Sequence, residues 1–174
     1  MPIPAFANDG RFLLAQAKGD LWVLSMSGDA KTRRVVATPG IDTDGRFSPN
    51  SRWIAYSSDA SGHYEVFIAP FVGAGAPIQV STKGGLEATW RRDGKEIFYL
   101  APDRTLMAVA FDERDPSHPG VPQPLFEMPT GDLGDARNHY DAAADGQRFL
   151  VTEEVRGAGA NAIVVMTNWT AAVK

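Results

Sequence analysis

Cysteine is absent from this sequence of 174 residues. The chain therefore has no disulfide bond, no thiol nucleophile and no thiolate metal ligand, and its cysteine content says nothing about the redox state of its compartment. A basic stripe is also absent, because lysine and arginine stand singly except at Arg33–Arg34 and Arg91–Arg92, and the net charge is −4. A phosphate backbone would find no basic surface, so we expect no nucleic-acid partner.

Long apolar runs are missing as well. The first ten residues, MPIPAFANDG, contain neither a positively charged segment nor an apolar segment of the kind found in signal peptides, and no apolar run approaches the length of a membrane span. We expect no membrane insertion and no export signal in this sequence, which leaves the compartment open. A content of 44% hydrophobic and 22% charged residues is typical of a globular domain, so we predict one domain over residues 1–174.

A short phrase occurs four times along the chain, each time followed by an apolar segment. The copies are FANDGR (Phe6–Arg11), FSPNSR (Phe47–Arg52), WRRDGK (Trp90–Lys95) and AAADGQ (Ala142–Gln147). Their third-from-last residues, here called the anchors, are Asp9, Asn50, Asp93 and Asp145, at steps of 41, 43 and 52 residues. This period is typical of a four-stranded propeller blade.

Each phrase predicts a turn between β-strands. The segments are short, rich in β-branched and aromatic residues, and flanked by Gly, Asp and Pro, which favours strands over helices. The predicted strands are Phe12–Leu14, Leu21–Met26, Arg33–Val36, Thr43–Ser48, Trp53–Tyr56, Tyr64–Pro70, Ile78–Val80, Glu87–Arg91, Ile97–Leu100, Leu106–Phe111, His139–Ala143, Phe149–Thr152 and Ala162–Trp169.

The fold class predicted from these units is all-β, a propeller-type array of about four four-stranded blades. The units cover about residues 1–40, 41–83, 84–128 and 129–174. Closure of the ring has two solutions. Either the N-terminal segment Pro2–Phe6 completes the last unit, or exposed blade edges pair with another copy of the chain as a homodimer.

The chain resembles the TolB-like β-propeller family, whose repeats carry a phrase of the form FSPDGRWIAY. Residues Phe47–Tyr56 read FSPNSRWIAY, which differs at Asn50–Ser51. The likeness is greatest to the propellers attached to bacterial serine/threonine protein kinases, in which five similar segments occur in the same order along the chain. Here these segments are Asp20–Asp29, Tyr56–Phe71, Trp90–Leu100, Asp145–Val151 and Asn168–Ala171.

This resemblance implies a binding or sensing module located outside the cytoplasm in its full-length context. The sequence contains none of the kinase motifs, neither the glycine-rich loop nor the His-Arg-Asp and Asp-Phe-Gly segments. Complete propellers of the family often have six blades, so the resemblance covers about two-thirds of one. A likeness of fold does not establish a reaction.

Alignment of the units on their anchors brings polar residues into register. Six positions before the anchors stand Ile3, Asp44, Glu87 and His139, and four positions before stand Ala5, Arg46, Thr89 and Asp141. Equivalent positions of innermost strands converge on a propeller's channel, and a spacing of two keeps side chains on one face. We therefore predict a ligand site at Asp44, Arg46, Glu87, His139 and Asp141.

Three interpretations of this set stay open. Asp44, Glu87 and His139 could hold a divalent metal, which is the one cofactor that the sequence suggests, or could serve as a general acid and base. The simpler interpretation is a solvated polar rim, because channel-facing residues are commonly polar. The other histidines, His63 and His118, are expected to be exposed in loops.

The four tryptophans, Trp22, Trp53, Trp90 and Trp169, suit packing between blades better than stacking on sugars, because three follow the apolar strand pattern. We predict a non-catalytic propeller that binds another protein or a small ligand at the mouth of the channel. The alternative is a propeller hydrolase for a lactone, ester or glycan. Its support is the register of Asp44, Glu87 and His139.

Overall fold

The computed structural model describes residues 4–28, 30–129, 139–153 and 162–167, and every regular element within them is a β-strand. These residues include no helix long and apolar enough to cross a membrane. The strands in chain order are β1 (Ala5–Phe6), β2 (Phe12–Ala17), β3 (Asp20–Ser25), β4 (Thr32–Val36), β5 (Asp42–Phe47), β6 (Trp53–Ser58), β7 (Glu65–Pro70), β8 (Ile78–Gln79), β9 (Leu86–Trp90), β10 (Glu96–Leu100), β11 (Thr105–Ala110), β12 (Gln123–Glu127), β13 (Tyr140–Ala142), β14 (Arg148–Glu153) and β15 (Ala162–Thr167).

The strands form four separate antiparallel sheets in which neighbours in sequence are neighbours in space. The orders are β1-β2-β3-β4, β5-β6-β7-β8 and β9-β10-β11-β12, and the described part of the fourth sheet is β13-β14-β15. We call these sheets blades 1 to 4. The predicted all-β propeller-type array is confirmed.

The repeated phrase forms the turn between the first two strands of each blade. In all four copies the anchor side chain accepts a hydrogen bond from the backbone N–H two residues later, at 2.9 to 3.1 Å. Such a bond is the reason that Asp and Asn suit turns. The residue after the anchor has a left-handed backbone, and in blade 2 Ser51 adopts it, with φ of 56°, where the other blades have glycine.

The sheets pack in chain order through three apolar clusters. Leu14 and Leu21 of blade 1 pack with Ile54 and Tyr56 of blade 2. The second cluster joins blades 2 and 3 and contains Ala55, Val66, Ile68, Val80, Ala88, Trp90, Ile97, Tyr99, Val109 and Phe111. The third joins blades 3 and 4 and contains Phe98, Leu100, Leu106, Ala108, Leu125, Phe126, Met128, Tyr140, Phe149 and Val151. Each inner sheet therefore buries both faces, one against each neighbour.

The first sheet bears on ring closure, for which the sequence left two solutions open. Ala5 pairs with Leu14 and Phe6 with Leu13, so the N-terminal strand is the innermost strand of blade 1 and does not complete blade 4. The half-exposed side chains Leu13 and Trp22 lie on the face of blade 1 that is opposite to blade 2. No core cluster of the described residues covers that face.

The strand predictions hold for the central strands and miss two others, β1 and β12. Strand β12 contains Pro124, which sequence patterns treat as a breaker. It pairs with β11 alone, and an outer strand tolerates the missing N–H of proline. The C-terminal end of the predicted strand Ala162–Trp169 lies outside the described residues.

Candidate functional site

The five predicted site residues line one cavity of about 330 Å³. Its remaining walls are Ala88, Thr89, Tyr140, Leu150 and Thr152. The five come from the innermost strands of blades 2, 3 and 4, or from the residue just before such a strand in the case of His139. We call Asp44, Arg46, Glu87, His139 and Asp141 the channel site.

Asp44 and Glu87 occupy matching irregularities of blades 2 and 3. The pairing of β5 with β6 shifts between Thr43 and Arg46, and the pairing of β9 with β10 shifts at the equivalent place. At these shifts Asp44 and Glu87 have left-handed backbones, with φ of 53° and 55°. Such a backbone costs roughly 1–3 kcal/mol in a residue other than glycine and is concentrated at functional sites. Bulges also redirect side chains, so the two carboxylates are placed by the bulge and not by simple alternation along the strand.

Glu87 is held by the histidine of the next blade. One carboxylate oxygen accepts a hydrogen bond from the His139 backbone N–H at 2.8 Å, and the other lies 2.5 Å from the ring Nδ1. The carbonyl of Glu87 accepts a hydrogen bond from the Tyr140 hydroxyl at 2.8 Å. Burial, reinforced by the charge of Glu87, raises the pKa of Tyr140 well above its usual value. The three bonds tie blade 3 to blade 4 at the channel.

Asp44 carries a carboxylate in an unfavourable environment. Burial raises the pKa of Asp44, and the negative charge of Glu87 raises it further, while Arg46 acts in the opposite direction. The Thr43 hydroxyl is a weak partner at 3.4 Å. The charged form of Asp44 would be favoured by an additional positive group, because opposite charge offsets both desolvation and like-charge repulsion.

Arg46 and Asp141 are less buried than Glu87 and His139 in the channel site. Arg46 donates a hydrogen bond to the carbonyl of Gly45 at 3.2 Å, and its own carbonyl accepts one from the Trp90 indole at 3.2 Å. Asp141 is exposed and pairs across the sheet with Leu150. The channel site therefore combines buried Glu87 and His139 with residues that are more open to solvent.

The arrangement does not fit the metal centre that the sequence suggested. Both oxygens of Glu87 are engaged by His139, which also commits its Nδ1. Within the described ranges, no group of three or more His, Asp or Glu side chains is arranged to hold an ion. Asp44, Glu87 and His139 are neighbours in one cavity but not a ligand set.

A second, larger cavity that sequence reasoning missed adjoins the channel site. It has a volume of about 590 Å³ and shares Asp44 and Glu87 with the channel site. We call it the adjoining cavity. Its other lining residues are Gln16, Ile41, Thr43, His63, Tyr64, Lys83, Gly84, Gly85, Leu86, Leu100 and Pro102. Two loops contribute to its wall, the loop between β6 and β7 with His63 and Tyr64, and the loop between blades 2 and 3 with Lys83, Gly84 and Gly85. No repeat marks these loops in the sequence.

The other histidines and the tryptophans mostly behave as predicted. His63 and His118 are both exposed, although the Nε2 of His63 lies 2.9 Å from a carboxylate oxygen of buried Glu65. Trp53 and Trp90 pack edge-on against Phe111, with ring centroids 5.6 and 5.2 Å apart. Packing between blades is therefore their role, while Trp169 lies outside the described residues.

Comparisons with known sequences give a short match. No family model matches the chain. The Tol-Pal system protein TolB of Bordetella pertussis is 36% identical over 47 residues, a stretch that is 27% of this chain and 11% of TolB.

Comparisons with solved structures cover nearly the whole chain at low identity. TolB from Acinetobacter baumannii superposes with a TM-score of 0.70 and 19% identity over 95% of this chain, which spans 40% of that protein. A protein assigned to TolB from Agrobacterium tumefaciens gives 0.67 and 23% over 87% of this chain and 53% of its own. An oligogalacturonate lyase in complex with manganese gives 0.66 and 15% over 96% of this chain and 48% of the lyase. At these identities the likeness concerns architecture, and the chain has a TolB-like β-propeller fold.

Proposed function

We propose that the chain is a non-catalytic binding or sensing module that recognises its partner at the channel site. The observation that carries this proposal is the convergence of five polar residues from three blades in one cavity, two of them on strained bulges. Strain persists only where the surrounding structure enforces it, and it is concentrated at sites of function. The TolB-like fold is consistent with a binding role.

The charges of the channel site favour a positively charged partner. Three carboxylates, those of Asp44, Glu87 and Asp141, face a single guanidinium, that of Arg46. Complementary charge accelerates encounter and disfavours partners of the wrong sign. The partner that fits is a basic segment of another protein or a small cationic ligand. The order of the five sequence segments named above further supports a sensing role of the kind expected for kinase-attached propellers.

Tetralysine is a suitable probe for calorimetric titration. We expect it to bind the parent at low ionic strength and to bind the double variant Asp44→Asn, Glu87→Gln at least about tenfold more weakly. The matched control is Asp112→Asn, Glu127→Gln, which removes the same charge from exposed positions outside both cavities. The proposal is wrong if the parent does not bind tetralysine, or if both double variants bind it as the parent does.

A second function, hydrolysis of a lactone, ester or glycosidic bond, has one observation in its favour. The Glu87 carboxylate is hydrogen-bonded to the His139 ring. In a hydrolase, such a histidine can act as the general base, and the carboxylate orients it. Asp44, with its raised pKa, would be the acid. Turnover of a chromogenic ester, a lactone or a nitrophenyl glycoside that is lost in His139→Asn would establish this function, and absence of turnover across the three substrates would reject it.

We also propose that the chain forms a homodimer through the face of blade 1 that no core cluster of the described residues covers. Leu13, Trp22 and Leu24 are half-exposed on that face, and pairing of two copies would bury them. Light scattering should give twice the chain mass of 18.8 kDa, and Trp22→Lys should shift the mass to that of the monomer. A monomeric parent would contradict this expectation.

A further inference from the structure

The adjoining cavity has the dimensions and the wall chemistry of a small-molecule site. Its volume of about 590 Å³ falls within the range of roughly 300–1,000 Å³ that is usual for such sites. Its apolar lining is made of Tyr64, Leu86, Leu100, Pro102 and Ile41. A body of one ring would be covered on several sides.

The polar groups of this cavity are unevenly distributed. Asp44 and Glu87 are the residues common to the adjoining cavity and the channel site. Burial raises the pKa of Tyr64, with further contributions from the charges of Asp59 and Asp44. Lys83 and His63 are exposed residues and therefore stand at the rim. The cavity is negative at its inner end and positive at its mouth.

A buried hydrogen-bond network fixes two walls of the cavity. Glu65, which is 2% exposed, accepts hydrogen bonds from the Ser81 hydroxyl and from the Gly84 backbone N–H. The same carboxylate is hydrogen-bonded to the His63 ring. A Cβ atom on Gly85 would lie 2.9 Å from both Tyr99 and Val66, so this loop packs too closely for a side chain. A wall held in this way loses little entropy when a ligand binds.

We propose that the adjoining cavity binds a small amine with an apolar body, its ammonium group beside Asp44 and its body against Tyr64, Leu86 and Leu100. The inference rests on the proposed function to the extent that Asp44 belongs to both sites. An ammonium group offsets the desolvation and the like-charge repulsion that Asp44 experiences. The face of Tyr64 adds attraction for a cation within about 6 Å.

The rim restricts the ligand to one positive charge at its buried end. Lys83 and the protonated form of His63 repel a second cation at the mouth. A polyamine or a lysine-rich peptide is therefore disfavoured in this cavity. The ammonium group beside Asp44 could still come from either of two sources, a small-molecule amine or a lysine side chain of another protein. A compact amine and tetralysine distinguish these two sources.

The test is calorimetric titration with 2-phenylethylamine, with 2-phenylethanol as the neutral ligand of similar shape. We expect the amine to bind the parent about tenfold or more tightly than the alcohol, and Asp44→Asn to remove this difference. Tyr64→Ala should weaken the amine about tenfold and leave tetralysine binding unchanged, because Tyr64 lies outside the channel site. Glu127→Gln is the control of equal charge change, and Tyr64→Phe retains the ring in case Tyr64→Ala unfolds.

The amine should also bind more tightly as the pH rises through the raised pKa of Asp44, because the protonated carboxyl cannot pair with ammonium. Other ionisable residues face this region and could add their own pH dependence, so the pH profile of Asp44→Asn serves as the reference. These residues are Glu87, Arg46, His139, His63, Lys83 and Tyr64. Equal affinity for amine and alcohol, or unchanged amine binding in both Tyr64 variants and in Asp44→Asn, overturns the inference. A parent chain that binds the amine but does not bind tetralysine would overturn the proposed function instead.

Discussion

Two buried glutamates each hold a histidine, but their surroundings differ. Glu65 has all its partners within 19 residues of the chain, in Ser81, Gly84 and His63. The side-chain carboxylate of Glu87 is hydrogen-bonded to one residue of the next blade, His139, 52 residues later. The Glu65 carboxylate closes a local loop, whereas the Glu87 carboxylate joins two blades at the wall of the channel. A Glu–His pair is thus structural in one place and a candidate binding element in the other.

The backbone separates the two glutamates as clearly as their partners do. Glu65 begins β7 in regular register opposite Ser58. Glu87 lies at a register shift with φ of 55°. The local rules are therefore satisfied at Glu65 and broken at Glu87, which is the pattern expected if the proposed binding role of Glu87 is correct.

The largest expected effect comes from removal of the structural carboxylate. Glu65→Ala leaves the Ser81 hydroxyl and the Gly84 N–H buried without their acceptor, and we expect the free energy of unfolding to fall by about 3–5 kcal/mol. Chemical denaturation measures this change. Glu127→Ala, at an exposed position, should alter stability by less than about 0.5 kcal/mol, and equal effects of the two substitutions would refute the structural role of Glu65.

A smaller loss is expected from Ser81→Ala. The Ser81 hydroxyl donates to Glu65 and accepts from the Val66 backbone N–H at 2.7 Å. Its removal leaves two buried groups short of a partner, at a cost of about 1–3 kcal/mol. Combined with Glu65→Ala in a double-mutant cycle, the two losses should be less than additive, because they disrupt one network. Additive losses would show that the two residues act independently.

The smallest effect is a pH-dependent gain in stability from Asp44→Asn. Because the folded pKa of Asp44 is raised, the folded state binds more protons than the unfolded state above the ordinary value of 3.8, and stability falls as the pH rises through the folded pKa. Asn tolerates the left-handed backbone and carries no charge. The melting temperature of the variant should exceed that of the parent at neutral pH, and the difference should shrink towards pH 3.8.

Asp93 provides the control of opposite sign. Hydrogen bonds from Arg91 lower the pKa of Asp93 to about 2, so its contribution is present above 3.8 and is lost as the pH falls through about 2. Asp93→Asn should therefore be less stable than the parent at neutral pH. If Asp44→Asn also destabilises at neutral pH, the Asp44 carboxylate is satisfied in the folded chain and the argument for a cationic ligand loses its support.

The blades and the channel register could be predicted from the sequence because both depend on local repetition. The anchors Asp9, Asn50, Asp93 and Asp145 repeat since each makes the same bond to the N–H two residues later. The left-handed backbones of Asp44 and Glu87 could not be predicted, because glutamate does not mark such positions and aspartate, although it is enriched there, is common elsewhere. The Glu65 network escaped prediction because its partners lie in loops outside the repeated phrase and follow no period.

The separate roles of the two glutamates are tested most directly on a matched pair of variants, Glu65→Gln and Glu87→Gln. Two quantities are measured for each variant, the free energy of unfolding and the affinity for tetralysine. We expect Glu65→Gln to lower the free energy of unfolding by about 1–3 kcal/mol and to leave the affinity for tetralysine unchanged. We expect Glu87→Gln to weaken tetralysine binding while changing stability by less than about 1 kcal/mol. The contradicting results are a joint loss of stability and affinity in both variants, or a Glu87→Gln variant that binds tetralysine as the parent does. Either result would show that Glu65 and Glu87 do not have separate structural and binding roles, and that the channel site is not a recognition surface.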